Sequence, residues 1–165
     1  MSENLEKQLL TQLKSHARLS NQDLADMTNV PVEQVAKTIQ KLEKNGTIIQ
    51  YTTILNESCL NEEKETIRAL IEVSVRPEKK TGYDALAKRI SHHPNVVGHY
   101  LISGNYDFLI IVEGSSLQEI SQFVSGLASL ENVRSTGTHF ILKKYKENGV
   151  AFPTEKPESR LAIIP

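Results

Sequence analysis

Residues 20–46 read SNQDLADMTNVPVEQVAKTIQKLEKNG, a stretch that specifies two short amphipathic helices joined by a tight turn. Ser20 can cap the first helix, and Asp23, three residues on, supplies the carboxylate of a capping box. Leu24, Ala25 and Met27 form its apolar side. Thr28-Asn29 breaks the pattern, and asparagine tolerates the left-handed conformation a tight turn needs. The second helix repeats apolar residues at Val35, Ala36, Ile39 and Leu42 and stops at Asn45-Gly46. Its other face offers Glu33, Gln34, Lys37, Thr38, Gln40 and Lys41, groups able to reach base edges and phosphates. This pattern is a helix-turn-helix and points to sequence-specific binding of double-stranded DNA. The candidate contacts are Ser20, Gln22, Glu33, Gln34, Lys37, Thr38, Lys41 and Tyr51. A three-helix module that serves only for packing is the alternative.

The flanking segments complete a small domain over residues 1–55. Leu5, Leu9, Leu10 and Leu13 make one stripe of a helix over residues 3–15, and TIIQYTTIL after Gly46 reads as one or two strands, a wing. The polar run NESCLNEEKE, residues 56–65, is the natural linker. Charge constrains the DNA reading. Lys7, Lys14, Arg18, Lys37, Lys41 and Lys44 stand against seven carboxylates in residues 1–60, so any positive potential must be local to the second helix of the motif. The single Cys59 excludes an intramolecular disulfide, and the sequence shows neither a signal-peptide pattern nor a run long enough to span a membrane. A cytoplasmic protein with no membrane association is expected.

Residues 66–146 alternate between strand and helix periods. Ile67, Ala69, Ile71, Val73 and Val75 alternate with Arg68, Leu70, Glu72, Ser74 and Arg76 as a strand. Tyr83, Leu86, Ala87 and Ile90 mark a helix, VVGHYLI and FLIIV are strands either side of the turn SGNYD, and Leu117, Ile120, Phe123, Val124 and Leu127 mark a second helix. A last strand spans residues 132–143. The order β-α-β-β-α-β is the ferredoxin-like split arrangement, which makes the chain α+β, with a winged helix-turn-helix domain ahead of it. Two helices cover one sheet face, yet Leu70, Leu109, Ile111, Ile102 and Ile141 are in excess of what that core requires. Sheet-to-sheet homodimerisation is therefore expected, and two-fold symmetry would let paired helices read two half-sites.

The segments LEKQLLTQLKSHARLSNQDLA, LEKNGTIIQYTTILN and SGNYDFLIIVEG together resemble the Lrp/AsnC family, the feast/famine transcriptional regulators of bacteria and archaea. The matching positions include Leu42, Glu43, Gly46, Ile48 and Tyr51 at the helix end and Gly104, Tyr106 and Asp107 at the sheet turn. The resemblance implies a winged-type DNA-binding domain joined to a ferredoxin-like effector domain that dimerises, assembles further to forms such as octamers, and binds amino acids between dimers. It implies an effector site at the turn of Ser103, Gly104, Asn105, Tyr106 and Asp107, to which Thr136 and Thr138 on the last strand can add hydroxyls. Asp107 can accept from an α-ammonium, and the backbone N–H groups of the turn can hold a carboxylate. The same residues also make a good hairpin turn that Asp107 would tie down. The chain departs from the family at Pro31-Val32, where Ser-Pro is usual, and at Thr38 and Gln40, where arginines are common.

His16, His92, His93, His99 and His139 have no metal-ligand spacing, so no metal or cofactor is implied and no enzymatic activity is expected. Two other readings stay open. One is a co-regulator that binds the effector without autonomous DNA binding. The other is an enzyme similar to the sirohaem decarboxylases, with His99 and His139 as proton donors. Beyond residue 146 a polar, proline-containing tail ends in Leu161, Ala162, Ile163 and Ile164, a candidate terminal strand for a sheet edge.

Overall fold

The periodicity of the leucines in the first helix sets the N-terminal core. In the computed structural model, which describes residues 2–56, 59, 66–76 and 82–153, helix α1 (Ser2–Ser15) buries Leu5, Leu9 and Leu13. Helices α2 (Asn21–Thr28) and α3 (Val32–Lys44) close over them with Leu24, Ala25, Val35 and Ile39. Met27, expected on the apolar side of α2, is exposed. Three positions after Leu24, it is rotated away from Ala25, and so away from the narrow stripe that a two-turn helix can bury.

The segment after Gly46 differs from expectation, for residues 49–56 contain no strand. The Ile48 N–H donates to the Leu42 carbonyl at 3.0 Å and its side chain packs on the helical core. Ile49, in contrast, is 92 % exposed. The β-branched composition there favours a pleated, half-buried surface, and among the described residues no second segment pairs with it to supply one.

The chain divides into two units between Leu55 and Asn56. In the second, strands β1 (Ile67–Val75), β2 (Val96–Leu101), β3 (Phe108–Gly114) and β4 (Val133–Phe140) form one sheet in the order β2-β3-β1-β4. All three pairings are antiparallel, with Ile71 opposite both Ile110 and Thr138, and His99 opposite Ile110. Helices α4 (Asp84–Ser91) and α5 (Leu117–Ala128) fill the two crossovers, giving the ferredoxin-like order. Strand alternation turns Ala69, Ile71, Val73, Val75, Phe108, Ile110 and Val112 into a core with Leu86, Ile90, Ile120, Phe123 and Leu127.

The opposite face carries half-buried Leu70, Leu109 and Ile111 beside Arg68, Glu72 and Glu113. A terminal hairpin follows, β5 (Lys146–Glu147) with β6 (Val150–Ala151), so the stretch expected as tail begins inside paired structure. Asn148 and Gly149 both have positive φ, 47° and 86°, which is the Asn-Gly two-residue hairpin turn. Glu147 pairs with Arg68, which also holds Glu113. Leu161 to Ile164 lie outside the described residues, as does most of the expected linker.

Candidate nucleic-acid and effector sites

The helix-turn-helix is held by local hydrogen bonds. The Ser20 Oγ accepts from the Asp23 N–H at 3.1 Å, and Asp23 Oδ2 accepts from the Ser20 N–H at 2.8 Å, which completes the capping box. The Ser20 hydroxyl, donating to Oδ2 at 2.6 Å, and after it the Ser20 N–H hold the Asp23 carboxyl below its usual range. Asn29 takes the left-handed conformation, φ 52°, and its N–H donates to the Ala25 carbonyl. Pro31 begins α3 with no side-chain cap, as its missing hydroxyl requires.

Burying Val35, Ile39 and Leu42 turns Glu33, Lys37, Gln40 and Lys44 into one exposed row, with Gln34, Thr38 and Lys41 beside it. Lys37, Gln40, Lys41, Lys44 and Asn45 line a shallow concavity on this helix. Lys44 and Gln40 fall on the same row as the candidate Lys37, and their 3–4-residue spacing is the signal that adds them.

Several candidate side chains are already engaged. Gln22 Nε2 donates to Asp26 Oδ1 at 2.8 Å, and Thr38 Oγ1 donates to the Gln34 carbonyl at 2.8 Å. Tyr51 donates to Glu43 Oε1 at 3.0 Å, and partial burial together with that carboxylate raises its pKa. Lys41 Nζ lies 2.8 Å from Glu6 Oε1 on α1. No sequence pattern pointed to that pair, which is separated by 35 positions.

At the turn between β2 and β3, Ser103, Gly104 and Asn105 are exposed, and Tyr106 and Asp107 are half-buried. Asp107 is the anchor of this end of the sheet. Its Oδ2 accepts from the Val75 N–H at 2.8 Å, its Oδ1 accepts from the Tyr83 hydroxyl at 2.9 Å, and its own N–H donates to the Val73 carbonyl. The Asp107 bond raises the Tyr83 pKa first, with burial second. Thr136 pairs with Val73 and Thr138 with Ile71, on the helix-facing side. Strand β1 therefore separates them from the turn, by roughly two strand spacings of about 4.8 Å each. The structure brings Ser103 to Asp107 together and leaves the two threonines apart from them.

His99 and His139 stand on opposite faces of the sheet. His99, opposite Ile110, meets Phe108 edge-to-face at 4.7 Å and its Nδ1 pairs with Ser91 Oγ at 2.9 Å. Its Nε2 is buried with no hydrogen-bond partner within normal geometry among the described residues, and burial depresses its pKa, with the Ala87 backbone acting in the other direction. His139, opposite Leu70 on the other face, places Nε2 3.1 Å from Glu72 Oε2. One chain cannot aim both rings at one substrate. Among the described residues no cluster of His, Cys, Asp or Glu is suited to a metal ion, and no helix is long and apolar enough to cross a membrane.

Comparison with known proteins covers both units. Residues 3–49 match the model of winged helix-turn-helix DNA-binding domains, and residues 68–151 match that of the Lrp/AsnC ligand binding domain. The uncharacterized HTH-type transcriptional regulator YugG of Bacillus subtilis is 37 % identical over 161 residues, covering 97 % of this chain and 96 % of that one. An uncharacterized HTH-type transcriptional regulator of Pyrococcus furiosus is 30 % identical, covering 88 % and 95 %. Among solved structures, a transcriptional regulator of Neisseria meningitidis in complex with L-Met superposes with a TM-score of 0.68 at 24 % identity, covering 90 % of this chain and 94 % of that one. The protein MtbAldR reaches a TM-score of 0.73 at 17 % identity, covering 90 % and 98 %.

Proposed function

The chain belongs to the Lrp/AsnC family of transcriptional regulators, and from that premise we propose that it binds operator DNA through α3 under the control of an amino acid held by its ferredoxin-like unit. The observation that carries the DNA half is the row of Glu33, Lys37, Gln40 and Lys44, left facing solvent by burial of Val35, Ile39 and Leu42. Lys37, Lys41 and Lys44 supply phosphate contacts, and Glu33, Gln34 and Thr38 supply hydrogen-bonding groups for base edges. Ser20, Gln22 and Tyr51 act close to the backbone, from the ends of the motif.

The effector half rests on the β2–β3 turn and on the L-Met complex of the Neisseria relative. Ser103, Gly104 and Asn105 offer exposed backbone to a carboxylate, and Asp107 offers an α-ammonium the lone pairs that its two intrachain bonds leave. Thr136 and Thr138 would have to meet the ligand from another protomer, which suits a site between dimers. The apolar outer sheet face, with Leu70, Leu109 and Ile111, supports the homodimer and a higher assembly such as an octamer. Ligand binding between dimers then changes the spacing of the α3 helices, and so the affinity for paired half-sites in the cytoplasm.

The test is retention of genomic DNA fragments by the purified protein, with and without a pool of the twenty amino acids. Discrete fragments whose enrichment shifts with the pool are the expected outcome. No enrichment in either condition would remove the autonomous regulator and leave the co-regulator reading. Charge reversal of Lys37 and Lys41 should abolish retention, whereas a co-regulator would be indifferent to it.

A further inference from the structure

Among the described residues, Lys41 is the one lysine of the α3 concavity that forms an ion pair within the fold. Its ammonium lies 2.8 Å from Glu6 Oε1, a contact between α1 and α3 rather than within one helix. The geometry is imposed by the core. Leu5 and Leu9 on either side of Glu6, and Leu42 next to Lys41, are buried, so neither helix can turn its charged residue away. The Lys41 side chain is 62 % exposed and Glu6 is 23 % exposed, so the ammonium sits on the solvent side of the carboxylate. Lys37 and Lys44 line the same concavity, and among the described residues neither forms an ion pair.

A carboxylate and a DNA phosphate present an ammonium with the same partner, an anionic oxygen at hydrogen-bond distance. We propose that Glu6 is an intramolecular stand-in for DNA phosphate: it holds Lys41 in the free protein, and the DNA backbone must displace it. This rests on the DNA-binding reading above and adds a residue that limits affinity instead of providing it. In a domain whose charges nearly cancel, such a pair keeps non-specific binding weak. Only a duplex that also satisfies the other groups of α3 would repay the exchange.

Fluorescence anisotropy of the full chain with a short mixed-sequence DNA duplex, repeated over a range of salt concentrations, tests this. Glu6→Gln should bind about two- to fivefold tighter, the range an exposed ion pair commands, with affinity falling more steeply as salt rises. Glu3→Gln removes the same charge one turn earlier on α1, where Glu3 faces Lys7, and should give a smaller gain. With Lys41→Gln in the background, the gain from Glu6→Gln should shrink to that of Glu3→Gln. An equal gain from Glu6→Gln with and without Lys41 would overturn the proposal, since it would then be general charge relief. Wild-type binding with Glu6→Gln unchanged would overturn this inference alone. Binding by neither protein at the lowest salt would overturn both it and the DNA-binding reading.

Discussion

Replacing Asp107 with alanine removes both side-chain hydrogen bonds that fasten the β2–β3 turn, one to Val75 at the end of β1 and one to Tyr83 just before α4. The larger loss is at Val75, which is 3 % exposed and lies at the register shift between β1 and β4. Its N–H donates to Oδ2 at 2.8 Å, and a buried donor left without an acceptor costs about 1–3 kcal/mol. The bond is to a carboxylate, which places the expected loss in the upper half of that range, about 2 kcal/mol. For a unit of this size that corresponds to a fall of roughly 10 °C in melting temperature. Asp107→Asn keeps the shape and an acceptor oxygen for Val75, so it should lose about half as much. Scanning calorimetry of the full chain reads both variants as shifts of the effector-unit transition. The Tyr83 phenol gives an independent readout: its raised pKa should fall back towards 10 in Asp107→Ala. A transition within about 0.5 kcal/mol of the wild type, or equal damage from Ala and Asn, would refute the claim that these two hydrogen bonds anchor the turn.

Other positions give sharper tests of single elements. Leu9, fully buried at the centre of the helical core, should cost about 2–5 kcal/mol on replacement by alanine, read by urea unfolding. Gly126 sits in α5 with open space where a Cβ would go, so Gly126→Ala should stabilise the effector unit by about 0.5–1 kcal/mol; a loss would mean that something else needs that space. Burial holds the pKa of His99 below its ordinary 6.5, so the unfolded chain takes up its proton first as pH falls. The stability that neutral His99 contributes is present above pH 6.5 and is lost as pH drops below that value towards the lower folded pKa. Melting temperatures followed across this window should fall more for the wild type than for His99→Leu, and parallel curves would sink the assignment.

Much of the architecture is written in short-range pattern. The capping box at Ser20 and Asp23, the left-handed Asn29 and the spacing of Val35, Ile39 and Leu42 are local matters, and the motif follows from them. Strand alternation in β1 likewise predicts which side chains are buried, because a period of two leaves only two faces to choose between. Local pattern misleads where a partner decides the outcome. The β-branched run after Gly46 stays irregular because nothing among the described residues pairs with it, and Met27 is exposed because α2 buries so narrow a stripe.

The sites were less legible than the fold, because their chemistry depends on residues far apart in sequence. Sequence alone determined that α3 carries a polar, lysine-bearing face and that Asp107 stands in a turn beside a strand. Only the tertiary structure decided that Lys41 is held by Glu6, that Asp107 spends both oxygens on Val75 and Tyr83, and that His99 and His139 face opposite ways. Periodicity reports which way a side chain points from its own backbone. What it meets there is set by how helices and strands pack, through contacts that no local pattern encodes.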